Sequence, residues 1–385
     1  MIVKVGNNEY WNTRSNPDDP TADGQGIDDA GAEWNICISA RSIGKSYAGK
    51  MNAIDNWLAS GNGVAIVKRF GDDIKTEFMN SYWADMYDYF YPKAHLRWPE
   101  FDSFGIVGYR GDWNVYGYER DSEKRTLLGR IGHAFAVNQS GKYKSQAYPD
   151  INMVVYEEFI PEDGRMLVNE FDKLLSIIST IRRGKESFKI YLWANAIDPN
   201  CDFFHEMQID PNTLKQGEIK VFEYHNGNDG SIKNKVAIEW VRPLNQTAES
   251  QAWMMFNRPT EQMMYKGTWQ TKNYRQFDEE LFDRKKPALS LVLDYKFIHL
   301  YGYVFDSEDS YTMLIAKVRK TNKVEYLTLH EGQTNVRRRM FNLRSQLAGI
   351  KRLKAFLYEL YNNDLIYYEN DLCGVDFERI LDICA

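Results

Sequence analysis

Short apolar runs alternate along this chain with stretches whose apolar positions recur every three or four residues, the signature of buried strands interleaved with amphipathic helices. The first run, Trp34-Asn35-Ile36-Cys37-Ile38-Ser39-Ala40, predicts a short buried strand. After a turn, Met51, Ile54, Trp57 and Leu58 predict a helix over 46–58. A Gly-Asn-Gly turn then precedes a second buried strand over 63–70, followed by a helix carrying Phe78, Tyr82, Trp83 and Met86. The intervening helix implies that these strands run parallel. Residues 96–138 hold short alternating pieces at 104–109, 113–118 and 134–137, expected to form a β insertion that leads back to the core sheet. Runs at 151–156 and 188–194 flank a helix predicted over 168–182 and are apolar on both faces, as central parallel strands covered on both sides must be.

The flanking regions read differently. Residues 11–33 are rich in Asn, Asp, Pro and Gly, so 1–33 is expected to be an N-terminal arm lying on the surface or on a neighbouring molecule. The core domain is expected over 34–214. Past about residue 215, turn clusters such as His225-Asn226-Gly227-Asn228-Asp229-Gly230 and the charged hinge Asp283-Arg284-Lys285-Lys286-Pro287 predict a linker subdomain over 215–287. Strands at 289–305, 311–319 and 324–329 and one or two helices over 335–361 predict a small α+β domain over 288–385. The fold class is therefore α/β, with a mainly parallel central sheet and a smaller C-terminal α+β domain. A chain of 385 residues exceeds what a single core usually organises, which agrees with this division.

Composition adds limits. With 43% apolar residues the chain is expected to fold over most of its length. It lacks an eighteen-residue apolar run and a charged start followed by an apolar stretch, so a protein without a membrane span or secretory signal, in the cytosol, is expected. The four cysteines show no CxxC spacing, and Cys37 sits in an apolar strand, which suits buried thiols rather than zinc. A net charge of −6 argues against a broad nucleic-acid-coating face, yet a ring that grips DNA through a few loops can be acidic overall.

The candidate chemistry begins at Gly44-Lys45-Ser46. A strand ends just before this turn and a helix starts within it, so helix N-terminal amides can face phosphates while Lys45 neutralises β and γ oxygens and Ser46 holds Mg²⁺. The usual loop begins with Gly where Ser39 stands, and Ser42 occupies another position often held by Gly. Val154-Val155-Tyr156-Glu157-Glu158 gives independent support: two acids at a strand end place Glu157 by the metal and Glu158 where it polarises an attacking water. Taken alone, two acids after a strand are more often a solvated edge. Asn195 ends the strand 188–194 and reads equally as a γ-phosphate sensor or a turn former. Arg182, Arg183 and Lys185 are individually a wet helix end; in a ring ATPase an arginine here enters the neighbour's site. Further basic clusters are Lys142, Lys144, Arg337–Arg339, Arg344, Lys351, Arg352 and Lys354. The last of these read first as the solvated side of a helix packed through Leu353, Phe356, Leu357 and Leu360. Asp294, Asp306, Glu308 and Asp309 do not make the converging carboxylate set of a two-metal nuclease, so no nuclease activity is expected.

Taken in order, Ser39-Ala40-Arg41-Ser42-Ile43-Gly44-Lys45-Ser46-Tyr47, Ala147-Tyr148-Pro149, Val155-Tyr156-Glu157-Glu158-Phe159-Ile160 and Ala194-Asn195-Ala196 resemble the phi29-type viral DNA-packaging ATPases, ring motors of the additional-strand, catalytic-glutamate P-loop class. The resemblance implies ATP and Mg²⁺ as cofactors, with nucleotide contacts along 39–47. It assigns Lys45 and Ser46 to nucleotide and metal, Glu157 to the metal, Glu158 to catalysis and Arg183 to action in trans. Arg41 also matches, and Lys144 matches a basic residue near the subunit boundary. The C-terminal domain of that family resembles an RNase H fold without a nuclease site. The implied partners are double-stranded DNA, the portal (connector) protein of a procapsid, copies of the same chain in a homopentamer and a structural RNA, in the host cytoplasm. Ser39 and Ser42 for glycines, Glu157 for Asp and the long polar arm depart from the family pattern. A small-molecule phosphotransferase and a nonenzymatic nucleotide-binding virion scaffold are the rival expectations.

Overall fold

The computed structural model describes residues 2–5, 8–14, 26–120, 124–162, 166–185, 187–197, 199, 201–227, 229–242, 274–277, 286–295, 298–307, 310–317, 320, 327–330 and 350–384. Contacts divide the chain into two units, Met1–Pro199 with Asn212–Trp269, and Asn200–Pro211 with Gln270–Ala385.

The first unit is built on a nine-stranded sheet. Hairpin strands β1 (Ile2–Val5) and β2 (Asn8–Trp11) stand apart from it. The sheet strands are β3 (Trp34–Ser39), β4 (Gly63–Lys68), β5 (Ser103–Tyr109), β6 (Asp112–Tyr118), β7 (Arg125–Ala136), β8 (Ile151–Glu157), β9 (Lys189–Asn195), β10 (Ile219–His225) and β11 (Ile232–Trp240). Their order is β10-β11-β3-β9-β8-β4-β7-β6-β5. The six central strands from β11 to β7 run parallel, and an antiparallel strand or hairpin closes each side. The apolar runs of β3, β8 and β9 are buried almost throughout, as two-sided cover requires. The meander β5-β6-β7 is the insertion read from the alternating pieces: Trp113, Val115 and Gly117 face inward, where Phe78, Tyr82 and Trp83 pack edge-on or stacked against Trp113. Strands β10 and β11 carry the sheet past residue 214, where the sequence pattern ended the core, because β11 pairs in parallel with β3.

Helix α1 (Lys45–Ser60) crosses from β3 to β4, and its Gly49 allows it to lie directly on Trp193 of β9. It ends at Gly61, whose left-handed φ of 76° lets its N–H close on the Trp57 carbonyl. Helices α2 (Thr76–Ser81) and α3 (Tyr87–Arg97) follow β4, and α4 (Glu170–Arg182) joins β8 to β9. Several of the described residues of the N-terminal arm pack inward. Trp11 is 1% exposed, Thr13 and Ile27 are buried, and Asn52 of α1 donates to Thr13 Oγ1 at 2.5 Å.

In the second unit α5 (Asp202–Glu206) precedes a five-stranded sheet of β12 (Leu289–Tyr295), β13 (Ile298–Ser307), β14 (Ser310–Ala316), β15 (Leu327–His330) and β16 (Ile366–Tyr368). Strands β12 to β14 form an antiparallel meander; β15 lies parallel beside β12, and β16 parallel beside β14. Leu353, Leu357 and Leu360 of α6 (Ile350–Asn362) and Phe377 and Leu381 of α7 (Asp371–Cys384) pack in one core with Leu291, Leu300 and Ile315. The apolar stripe read over 353–360 is thus its buried side. Asp306 is exposed, while the side chain of Asp294, Glu308, Asp309, Arg337–Arg339, Arg344 and most of the expected linker over 215–287 beyond residue 242 lie outside the described residues. Cys37, Cys201 and Cys373 are buried free thiols. Among the described residues no helix is long and apolar enough to cross a membrane.

Candidate nucleotide site

Parallel strands deliver their carboxyl ends to one edge of the sheet, and three of the sequence-predicted groups meet there. Register pairs Ser39 of β3 with Asn195 of β9, and Trp193 of β9 with Glu157 of β8. The Lys45 turn, Asn195 and the two acids therefore line adjacent strand ends of a single sheet.

The loop after β3 bends through two left-handed residues, Ser42 (φ 58°) and Gly44 (φ 94°). Gly44 has the freedom such a bend needs, and Ser42 carries the strain of a side chain there. Ser39 remains extended in β3, so replacing the usual first glycine costs no left-handed geometry. Ile43 is buried and anchors the bend, while Ser42 and Ser46 face solvent. The N-terminus of α1 carries no side-chain cap, which leaves its first amides to an external acceptor.

Lys45 Nζ donates to the Asn195 side-chain oxygen at 3.0 Å, to the Ala40 carbonyl at 3.1 Å and to Ser39 Oγ. All three are neutral oxygens. Burial lowers its pKa to about 8; Cys37 and Glu158 push it upward and Arg41 pulls it further down. Burial also pushes the Cys37 thiol up, so it stays protonated beside the loop strand. Arg41 forms an ion pair with Glu162.

Glu157 is 7% exposed and held by Lys68 of β4, with Nζ 2.8 Å from Oε2, while the Tyr82 hydroxyl donates to Oε1 at 3.4 Å. Burial opposes the Lys68 charge, but Glu157, then Glu158 and Asp73, leave its pKa raised. Glu158 is exposed and takes φ 58°, the left-handed region, immediately after the strand. Lys68 is not singled out in the sequence and Tyr82 reads only as an apolar position of a helix; the signal available is a lysine closing an otherwise apolar run.

Arg183 is not part of this cluster. It follows α4 and precedes β9, so it lies at the amino edge of the sheet, beyond the end opposite Asn195 of a strand about 20 Å long. There its guanidinium donates to the Lys144 carbonyl at 2.9 Å. Lys144 thus accompanies Arg183, and Lys142 is exposed and donates to Gln139 at 3.1 Å. Close to them a cleft of about 770 Å³ is lined by Glu33, Trp34, Arg182, Arg183, Lys185 and Lys233 among others.

The arm supplies a further element that sequence reading did not assign to the site. Trp11 N–H donates to the Ile43 carbonyl at 2.8 Å, Tyr10 stacks on Tyr47 at 5.9 Å between centroids, and the Trp11 indole N–H donates to buried Glu239 of β11 at 2.9 Å. The loop is thereby held from outside by its own chain.

Comparison with known proteins agrees with the motif order. The DNA packaging proteins of Bacillus phage phi29 and Bacillus phage PZA are each 26% identical over 188 residues, covering 48% of this chain and 49% of the relative. That of Bacillus phage B103 is 26% identical over 184 residues, covering 47% and 50%. This chain resembles the phi29-type packaging proteins. The match spans about half the length of those curated relatives. The solved bacteriophage phi29 viral genome packaging motor assembly aligns with a TM-score of 0.51 at 17% identity, over 93% of this chain and 98% of that chain, a likeness of fold. No protein-family profile matches the chain.

The residues present suit a nucleoside triphosphate: a desolvated lysine bonded to neutral oxygens, uncapped helix amides and a left-handed bend together form an anion cradle. Among the described residues no three His, Cys, Asp or Glu side chains group as a metal site. A magnesium ion that shares phosphate oxygens and water needs only one or two protein ligands.

Proposed function

We propose that this chain is the ATP-hydrolysing subunit of a motor that drives double-stranded DNA into a viral procapsid, working as a homomeric ring, a pentamer, on the portal protein in the host cytoplasm. The observation that carries it is the meeting of Lys45, Asn195 and the Glu157-Glu158 pair on one strand edge. In this reading ATP supplies the phosphoanhydride bond that is broken and Mg²⁺ neutralises charge on its phosphates. Residues 39–47 wrap the phosphates, Lys45 neutralises the β and γ oxygens, and Ser46 with Glu157 holds the ion. Glu158 orients and deprotonates the attacking water, and Asn195 reports on the γ position through its bond to Lys45. Arg183, on the opposite edge, serves a neighbour's site, and Lys142 and Lys144 lie at the subunit boundary or on DNA. A structural RNA between ring and portal belongs to the same proposal.

The C-terminal unit is an RNase H-like domain without nuclease activity in this reading. Its antiparallel meander with a parallel strand beside the first supports that. The matched relatives are DNA packaging proteins, which favours the motor over a phosphotransferase.

The test is phosphate release with and without double-stranded DNA and procapsids. Wild type is expected to hydrolyse ATP faster with both. Glu158→Gln is expected to bind ATP without turnover, and Arg183→Ala to recover turnover when mixed with Glu158→Gln. Full ATPase in Glu158→Gln would refute the catalytic assignment; no recovery on mixing would refute action in trans.

A further inference from the structure

A buried ion pair lies beside the proposed catalytic loop and is not explained by nucleotide binding. Arg69, the residue after β4, is 9% exposed, and Glu170, the first residue of α4, is 3% exposed. The Arg69 Nε lies 3.0 Å from one Glu170 oxygen and 3.2 Å from the other, and Nη2 lies 3.0 Å from Oε1. The Tyr156 hydroxyl and the Leu167 N–H donate to the same carboxylate at 2.5 and 2.8 Å. Glu170 is therefore saturated with donors, and the planar fork of Arg69 is fixed in orientation.

That orientation has a consequence for Glu158. The same Nη2 donates to the Glu158 carbonyl at 3.1 Å and to the Phe159 carbonyl at 3.0 Å. Glu158 is a non-glycine residue at φ 58°, a conformation that persists only where its surroundings over-determine it. On the far side the Phe159 N–H is held by the Trp193 carbonyl at 3.2 Å. The bend that aims the Glu158 carboxylate is thus clamped by β9 on one side and by one guanidinium nitrogen on the other.

We infer that Arg69 is a positioning residue for Glu158: braced by Glu170, it holds the left-handed bend that points the Glu158 carboxylate at the reaction. The inference rests on the ATPase reading above. Without Arg69 the bend relaxes toward negative φ and swings the carboxylate away, and displacements of about 1 Å at a reacting group cost on the order of 10²-fold in rate. The nucleotide cradle around Lys45 makes no bond to Arg69, so binding is expected to be spared.

Removing Arg69 alone also strands a buried carboxylate, so the experiment pairs two variants. In Arg69→Met, kcat for ATP hydrolysis is expected to fall about 10²-fold with ATP affinity within about threefold of wild type. In Arg69→Met/Glu170→Met no unpaired charge remains, so the midpoint of thermal unfolding is expected to return toward wild type while kcat stays low. Arg69→Lys, which keeps the charge but cannot span Glu170 and both carbonyls, is expected to stay folded and to lose at least about tenfold in kcat. Recovery of kcat together with stability in the double variant, or wild-type kcat in a folded Arg69→Lys, would overturn the positioning role alone. No hydrolysis by the wild-type chain would overturn the ATPase reading and this one with it.

Discussion

Raising the pH from 7 to 9 perturbs the proposed site, because Lys45 titrates within that interval in the free protein, with a pKa of about 8 set first by burial. Nucleotide phosphates restore a strong opposite charge, so the bound form keeps its proton across the interval. Affinity therefore follows the protonated fraction of the free protein, which falls from roughly nine-tenths to roughly one-tenth, a loss of about tenfold or about 1.4 kcal/mol. Stability without nucleotide runs the other way. The unfolded chain binds this proton more tightly than the folded one, so the folded state carries a penalty below about pH 8 that is relieved as pH rises toward the ordinary lysine value. Isothermal titration with ADP in two buffers of different ionisation enthalpy measures both affinity and proton uptake. Uptake approaching one proton near pH 9, and its disappearance in Lys45→Arg, whose guanidinium does not deprotonate, is the expected result. A flat affinity between pH 7 and 9 with no proton uptake would refute the placement of a desolvated Lys45 at the phosphates.

Gly49→Ala tests the packing beneath the site: the new Cβ would lie 2.2 Å from the Trp193 ring, so about 1–3 kcal/mol of overpacking outweighs the helix-propensity gain of about 1 kcal/mol. Thermal unfolding is expected a few degrees lower, and a higher midpoint would contradict the contact. Trp11→Phe removes the indole donor from buried Glu239, a loss of about 1–3 kcal/mol. Burial already raises the Glu239 pKa, so the deficit should shrink as the pH falls and the carboxyl is protonated; a deficit unchanged in acid would exclude that carboxylate as the cause. Lys68→Met leaves Glu157 without its cation and should cost up to about 3 kcal/mol. Mg²⁺ with nucleotide should then raise the unfolding midpoint more than in wild type, and an equal shift would detach Glu157 from the metal.

Much of the first unit is legible in the chain itself. Continuous apolar runs at β3, β8 and β9, separated by helical spacing, predict parallel strands because two-sided burial leaves no polar face, and the strand–turn–helix at Lys45 follows from local pattern alone. The short alternating pieces at 104–109 and 113–118 fall on β5 and β6, where alternation marks strands with one buried face. Pairing over long separations is less legible. Hairpin strands β10 and β11 look like turn-rich linker, and only the tertiary structure seats β11 beside β3. The arm gives almost no periodic signal, and the bond from Trp11 to Glu239, 228 residues away, is visible only in the tertiary structure.

The site divides the same way. Local order along the chain placed Glu157, Glu158 and Asn195 at strand ends and Lys45 in the turn that follows one, and parallel strands necessarily bring those ends to one edge. Which groups brace them depends on partners far apart in sequence. Lys68 reaches Glu157, Arg69 joins Glu170 to the Glu158 bend, and the edge occupied by Arg183 follows from the direction of β9. Strand and helix follow from the spacing of neighbours, which a sequence carries, whereas the partner of a buried charge is chosen by the packing that excludes water from both.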